Sequence, residues 1–261
     1  MTELNHLDED PTDDGLESPE VIGRRPGKEE RFNKQLLLII LALVVLWLSG
    51  IASALIFGLI SAPAPRTSIE RSLRVYGAAV DEGSVDPAVW SDYAGSLIEA
   101  KQYTQAERVI ADALELVKSD RSRVLLQSIN LAVAREDYAL AVKAADTTLA
   151  ECAEELKATV ERYAEIGVTT MAEQPYAYGP ALLLKAEALT KLGRNDDAVS
   201  AYDAFLKDIP RASDVLVLRG DLKAETGDEN GAEADYREAL KYISDYDLAL
   251  DGLKRIGAEV R

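Results

Sequence analysis

The stretch GPALLLKAEALTKLGRNDDAVSAYDAFLKDIPRA (179–212) is followed directly by SDVLVLRGDLKAETGDENGAEADYREALKYISDY (213–246), and the two align without a gap. They share a small residue at position eight, glycine at fifteen, alanine at twenty and tyrosine at twenty-four: Ala186 and Gly220, Gly193 and Gly227, Ala198 and Ala232, Tyr202 and Tyr236. A fixed period of about 34 residues is typical of a solenoid, in which each repeat buries its apolar face against its neighbours. The pattern therefore indicates an interaction surface.

Two weaker copies of the pattern precede this pair. The copy from Pro87 has aromatic or small residues at four of the expected positions, and the copy from Ser122 has them at two: Trp90, Tyr103, Ala106 and Ala113, then Tyr138 and Ala141. The whole set resembles the tetratricopeptide repeat family from Pro87 to about Leu240, with one interruption. The resemblance implies an all-α fold, a TPR-type α-solenoid of helix pairs. It also implies core packing, not ligand stacking, for Trp90, Tyr138, Tyr202 and Tyr236.

The chain departs from the family pattern in a few places. Lys223 and Leu189 stand where tyrosine is usual, and only the third copy ends in proline, at Pro210. The sequence predicts repeats near 87–120, 122–166, 179–212 and 213–246, and a closing helix over 247–260.

The second repeat is expected to contain an unusually long helix. Apolar residues recur at spacings of three and four from Ala141 to Tyr163, and no proline or glycine interrupts them before Gly167. We therefore predict one helix from about Asp137 to Ile166 that projects beyond the stack, then a loop over 167–177. Cys152 lies on the apolar stripe and is expected to be a buried structural thiol.

Residues 35–62 are a candidate transmembrane helix. The segment has no charged residue and exceeds the roughly 20 apolar residues that a bilayer span needs. A cleaved signal peptide is the rival interpretation, but its apolar region is normally about 7–15 residues long and close to the N-terminus. Here a polar tail comes first, and Pro65 follows the candidate cleavage site Ala62-Pro63-Ala64. The sequence therefore favours an uncleaved, single-pass membrane anchor.

The flanking charges predict the orientation of this anchor. Five basic residues precede the segment and three follow it at comparable distance: Arg24, Arg25, Lys28, Arg31 and Lys34, then Arg66, Arg71 and Arg74. The excess on the N-terminal side predicts a cytoplasmic N-terminus and an extracytoplasmic C-terminal domain. Residues 1–34 form an acidic tail with few apolar residues, which predicts disorder, with an acidic docking segment as the alternative. A bacterial cell membrane is the expected location.

Residues 63–86 are predicted to be a linker with one short amphipathic helix. Thr67 and Glu70 have the spacing of a capping box, and Ile69–Val80 carries apolar residues at helical spacing. This helix is expected to cap the array, with attachment to the membrane surface as the alternative. Asp86 and Pro87 then resemble an N-cap and the first residue of the first repeat.

The composition argues against catalysis and against nucleic acid. The chain has 29 Lys and Arg against 46 Asp and Glu, a formal net charge of −17, whereas binding to phosphates requires clustered basic residues. Its one histidine, His6, lies in the polar tail, and its one cysteine excludes an intrachain disulfide. Motifs for nucleotide binding, hydrolysis and zinc are missing from the sequence. We therefore predict a non-enzymatic protein with no cofactor and no metal.

The family resemblance also implies a peptide groove. In such proteins ligands lie along the first helices of the repeats, chiefly at positions two, five, nine, twelve and thirteen. The corresponding residues here are Ser91, Arg123, Leu126, Asn130, Leu183, Glu187, Lys191, Val217, Asp221 and Glu225. The Lys/Asn clamp that chaperone-binding members use for a terminal carboxylate is missing, and the acidic groove residues would repel such a ligand. The expected occupant is an apolar segment with basic residues, either from a partner or from the chain's own helix Ile69–Val80.

The candidate transmembrane helix carries small residues at every fourth position. Gly50, Ala54, Gly58 and Ala62 fall on one face, and small faces allow two spanning helices to approach closely. This predicts a homodimer, although glycine and alanine are also simply common in membrane spans.

Three functions remain open on these grounds. The first is a membrane-tethered protein-interaction scaffold on the extracytoplasmic side that assists assembly or translocation of envelope proteins. The second is a cytosol-facing receptor, and the third is a structural subunit of a membrane complex. In each case the partner is a protein or peptide, and the bilayer is the second contact.

Overall fold

The computed structural model describes residues 28–60, 67–168 and 170–259, with side chains for 33–51, 67–168 and 170–259. The chain divides into two compact units, residues 1–64 and 65–261, which are described separately. All regular structure in the described ranges is helical. The predicted disorder of residues 1–27 falls outside the described residues.

The first unit contains one helix, α1 (Lys28–Ile60). It begins seven residues before the predicted span, so residues 28–34 are helical where the sequence predicted a disordered tail. Lys, Glu and Arg are good helix formers, and no proline or glycine occurs between Pro26-Gly27 and Gly50. Within α1, the segment Asn33–Ile51 is long and apolar enough to cross a membrane, with a mean hydropathy of 2.3 and no buried residue. A signal sequence near the N-terminus would also satisfy these criteria.

The second unit contains ten helices in the described residues, eight of them in four consecutive pairs. The pairs are α3 (Pro87–Glu99) with α4 (Tyr103–Leu116), α5 (Arg121–Ala134) with α6 (Tyr138–Glu165), α7 (Tyr178–Lys191) with α8 (Asn195–Asp208), and α9 (Ser213–Glu225) with α10 (Glu229–Tyr242). A helix α2 (Ser68–Asp81) precedes them and α11 (Asp247–Arg255) follows. Each helix packs mainly against its neighbours in sequence, as expected for a solenoid. The predicted α-solenoid of helix pairs is confirmed.

The helix boundaries follow local signals. At α2 the Glu70 N–H donates to Thr67 Oγ1 at 3.1 Å and the Thr67 N–H donates to Glu70 Oε2 at 3.4 Å, so the predicted capping box is present. Asp86 caps α3 by accepting the Ala88 N–H at 2.9 Å. The long helix α6 runs close to its predicted limits, and Gly167, with φ +72°, follows its end.

The two end helices cover the stack. α2 packs on α3, where its Leu73 and Val80 contact a core cluster that includes Trp90, Leu97 and Ile110. α11 packs on α9 and α10 and buries Ala249 and Leu253. It ends at Arg255, before the predicted limit of residue 260, because Gly257 turns the chain at φ +74°.

The aromatic and small residues at the repeat positions lie in the core together with leucine, isoleucine and valine side chains. Trp90, Tyr202 and Tyr236 are buried, and Tyr138 packs half-buried against the same core. Tyr236 fits because Gly220 faces it: a Cβ at Gly220 would lie 2.9 Å from Tyr236 Cε1. The predicted core role of these aromatic residues is confirmed.

Candidate functional site

The first helices of the repeats, α3, α5, α7 and α9, carry the ten predicted groove residues. On α3 and α5 the polar members form a chain of internal hydrogen bonds. Ser91 Oγ donates to the Arg123 carbonyl at 3.1 Å and accepts from Gln127 Nε2 at 3.0 Å, and Asn130 Nδ2 donates to Gln127 Oε1 at 3.0 Å. Ser91 is buried by this contact. These residues therefore join two first helices to each other.

Arg123 is also held within the fold. Its Nε lies 2.8 Å from Asp120 Oδ2, and its guanidinium carbon lies 4.2 Å from the centre of the Tyr176 ring. Tyr176 belongs to the loop between α6 and α7, so Arg123 anchors that loop by a cation–π contact.

Two of the predicted groove residues are core residues. Leu126 and Val217 stand at position five of their repeats. Both are buried in the larger core cluster, which extends from Leu126 of α5 to Leu253 of α11. Leu183, at the same position of the third repeat, is only half-buried. Of the three apolar side chains at position five, Leu183 therefore offers the most surface.

Asp221 is bound from two sides. Tyr236 Oη donates to Asp221 Oδ1 at 2.7 Å, and Arg255 of α11 forms an ion pair with the same oxygen. Burial, followed by the hydrogen bond to Asp221, raises the pKa of Tyr236. The end helix α11 therefore neutralises this groove carboxylate.

The remaining groove residues, Glu187, Lys191 and Glu225, are exposed, and none of them forms an ion pair within the described part of the chain. The pKa of Tyr202 is raised, chiefly by burial and to a smaller extent by the negative charges of Glu187 on α7 and Asp221 on α9. A cavity of about 300 Å³ lies beside Glu225. It is lined by Asp221, Ala224, Glu225, Glu229, Arg255 and Ile256. The face around α7 and α9 is thus open, and its exposed groove residues are the two carboxylates of Glu187 and Glu225 and the basic Lys191.

A second, larger cavity was not predicted from the sequence. It has a volume of about 650 Å³ and lies where the loop after α6 meets the start of α7 and the end of α8. Its walls are mostly proline, aromatic and aliphatic side chains, including Pro175, Tyr176, Tyr178, Phe205 and Ile209. The sequence does show a loop rich in proline and tyrosine, but it does not show that this loop packs against α7 and α8.

Lys223, which departs from the family pattern, has a structural role. Asp235 is 4% exposed, and its carboxylate is met by Arg219 at 2.5 Å and by Lys223 at 2.9 Å. Arg219 also reaches Asp203 of α8 at 2.6 Å. A buried carboxylate requires such partners, and the lysine supplies one. This cluster joins the third and fourth repeats.

Cys152 is buried, as predicted, and burial is the main reason that its pKa rises to about 11. A thiol of this kind is poorly reactive at neutral pH. Among the described residues, no group of three or more His, Cys, Asp or Glu side chains is placed to hold a metal ion.

The predicted dimer face is only partly described. Gly50, Ala54 and Gly58 lie in α1 at intervals of one helical turn, and no atom outside its own helix backbone lies within 4 Å of a Cβ at Gly50. The side chains of residues 52–60 and the whole of Ala62 lie outside the described residues.

The fold and its repeats define a class of protein, an α-solenoid built for binding along the surface of its helices. The family model described as tetratricopeptide repeat matches residues 183–247, which lie in the third and fourth predicted repeats and the first residue of α11. Over these residues the chain matches the tetratricopeptide repeat family, and its fold is a TPR-like α-solenoid. Proteins with such repeats are typically non-catalytic scaffolds.

The chain is also similar to solved structures, and the first named here has a TM-score above 0.5, which indicates the same fold. BtubC (BKLC) from P. vanneervenii is 15% identical with a TM-score of 0.53, and the match covers 73% of this chain and 83% of BtubC. The MamA RS-1 ArsTM double mutant is 14% identical with a TM-score of 0.48, covering 69% and 87% of the two chains. A tetratricopeptide repeat protein from Parabacteroides merdae is 17% identical with a TM-score of 0.46; the match covers 72% of this chain but only 64% of that protein. No curated protein matches the sequence.

Proposed function

We propose that this protein is a membrane-tethered, non-enzymatic scaffold whose repeat domain binds a segment of a partner protein. The helix α1 is the tether, and the first helices α7 and α9 provide the binding face. The observation that carries the proposal is the open acidic surface at Glu187 and Glu225, next to the half-buried Leu183, in a fold of the protein-binding class.

The chemistry of this face selects its ligand. Glu187 and Glu225 favour a basic group, and Leu183 favours an apolar side chain. An acidic C-terminus would meet the two carboxylates of Glu187 and Glu225 and, without the Lys/Asn clamp, only the single basic side chain of Lys191, which disfavours it. The ligand is therefore an apolar segment that carries Lys or Arg.

The location of the domain follows from the charges around α1. The basic excess before the span supports a cytoplasmic N-terminus and an extracytoplasmic repeat domain, in a bacterial cell membrane. The partner is then an envelope protein during its assembly or translocation. The small residues Gly50, Ala54, Gly58 and Ala62 support a homodimer through the span, which would present two binding faces together.

Binding of short peptides to the full chain in detergent micelles tests the binding face. The probe is an amidated eight-residue peptide that alternates Leu and Lys, and the comparison peptide alternates Leu and Glu. We expect the Leu-Lys peptide to bind, and the double variant Glu187→Lys/Glu225→Lys to weaken it at least tenfold. The Leu-Glu peptide should gain affinity for the same variant.

The control variant carries an equal change of charge on the second helices. Glu115 and Glu154 are both exposed, so Glu115→Lys/Glu154→Lys reverses two carboxylates away from α7 and α9. It should change the affinity by less than twofold. An equal loss in both variants would show that only the net charge of the protein attracts the probe, and the proposed face would be rejected.

A further inference from the structure

The loop between α6 and α7 forms one wall of the 650 Å³ cavity, and the repeat helices form the other walls. The loop supplies Glu173 to Tyr176, α7 supplies Tyr178 to Leu183, and the end of α8 supplies Phe205 to Ile209. The other consecutive pairs are joined by connections of four residues, whereas this one spans residues 166–177. The cavity therefore depends on the interruption of the repeat, and Leu183 is the one predicted groove residue in its lining.

The loop is fixed by three contacts. The Tyr176 ring lies under the Arg123 guanidinium at 4.2 Å, the Tyr178 N–H donates to the Pro175 carbonyl at 3.0 Å, and Ala177 is fully buried. Proline at 175 further limits the backbone. The cavity is therefore largely formed before any ligand enters, which lowers the entropy cost of binding.

The lining is apolar with an acidic rim. Tyr176 is 60% exposed and Ile209 is 49% exposed, so large apolar side chains in this wall remain uncovered. Glu173 and Asp208 also line the cavity, and no lysine or arginine does among the described residues. Neither carboxylate forms an ion pair in the described part of the chain. Asp208 and Tyr178 line the same cavity, and the pKa of Tyr178 is raised by burial and then by the charge of Asp208.

We propose that this cavity is a second binding site, which takes a large apolar side chain of a partner protein with a Lys or Arg next to it in the sequence. A volume of about 650 Å³ is within the range of specific ligand pockets, and aromatic walls suit such an anchor. The rim carboxylates supply the charge complementarity that selects a basic neighbour. This site adjoins the face around Glu187 and Glu225, with which it shares Leu183, but its charges come from Glu173 and Asp208, and it goes beyond the function proposed above.

Methyl NMR of the full chain in detergent micelles tests the site, with acetyl-Gly-Ser-Phe-Arg-Ser-Gly-amide as the probe. We expect the methyl signals of Ile209, which is not a groove residue, to shift on titration. The Ala-Arg and Phe-Glu versions of the peptide should each bind at least fivefold more weakly, because one lacks the anchor and the other reverses the charge.

Variants of the cavity provide the decisive comparison. Glu173→Arg/Asp208→Arg should reverse the preference between the Phe-Arg and Phe-Glu peptides. Ile209→Ala should lower the affinity for the Phe-Arg peptide at least threefold, whereas Ile243→Ala should leave this affinity unchanged. Ile243 is the matched control because it follows α10 as Ile209 follows α8, and it is 44% exposed.

The outcomes separate this site from the groove. The proposal is supported if the cavity variants lose affinity for the Phe-Arg peptide and Glu187→Lys/Glu225→Lys does not. Shifts that avoid Ile209, or an unchanged preference after charge reversal, would overturn it and leave the groove proposal untouched. Thermal unfolding of each variant checks that the fold is retained.

Discussion

At the scale of single residues, one backbone conformation recurs in every repeat. Position fifteen, in the turn between the paired helices, has a positive φ in all four: 60° at Lys101, 58° at Glu136, 71° at Gly193 and 87° at Gly227. Glycine adopts this left-handed conformation without strain, whereas a side chain costs about 1–2 kcal/mol. The first two repeats therefore fold with non-glycine residues in a conformation that the last two give to glycine.

Replacing either of these residues by glycine should stabilise the protein. We expect Lys101→Gly and Glu136→Gly each to raise the free energy of unfolding by about 0.5–1 kcal/mol, since relief of the left-handed strain exceeds the added entropy of the unfolded chain. Urea unfolding of the full chain in micelles measures this.

The control is the same kind of change within a helix. Lys143 is an exposed residue inside α6, so Lys143→Gly should lower the free energy of unfolding by about 1 kcal/mol. Destabilisation by all three substitutions would contradict the strain argument.

The same residues show why sequence patterns identify the two halves of the array unequally. The third and fourth repeats, which match the family model, have Gly193 and Gly227 at position fifteen, whereas the first two have Lys101 and Glu136 in an equivalent turn. The burial of Tyr236 against Gly220 could also be predicted, because both lie at fixed repeat positions. The pairing of Asp221 with Arg255 could not, since Arg255 comes from α11, outside the four repeats.

At the scale of elements, periodicity predicted the helices well. The capping box of α2, the proline start of α3 and the length of α6 all follow from local sequence. The cavity beside the α6–α7 loop required knowledge of three segments that meet only in the folded chain. Local signals determine where helices begin and end, but the walls of a site depend on how they pack.

The end helix α11 should contribute strongly to stability. Leu253 is 1% exposed within the larger core cluster, and truncation of such a side chain removes apolar contact and leaves a cavity. We expect Leu253→Ala to lower the free energy of unfolding by about 2–5 kcal/mol.

Leu248 is the matched control for this element. It lies in the same helix and is 58% exposed, so Leu248→Ala should change the free energy of unfolding by less than about 0.5 kcal/mol. Equal effects of the two substitutions would show that α11 does not close the stack as described.

At the scale of the whole molecule, the charges around α1 predict the side of the membrane on which the repeats lie. A reporter that is active only outside the cytoplasm, fused after Arg261, should be active. Replacing the five basic residues before the span with glutamine should reduce that activity, because the remaining basic residues near the span would then all follow it. The replaced residues are Arg24, Arg25, Lys28, Arg31 and Lys34. Activity of a cytoplasmic reporter alone would instead favour the receptor function.

Site-specific photo-crosslinking in cells tests the central claim, that a partner protein lies on the face around α7 and α9. A photoreactive amino acid is placed at position 187 or 225, and at position 154 on α6 as the control, all of which are exposed. We expect crosslinks to a discrete partner at 187 and 225 and none at 154. The crosslink at 225 should disappear when Glu187→Lys is added. Equal crosslinking at all three positions, or crosslinking only at 154, would contradict the proposed binding face.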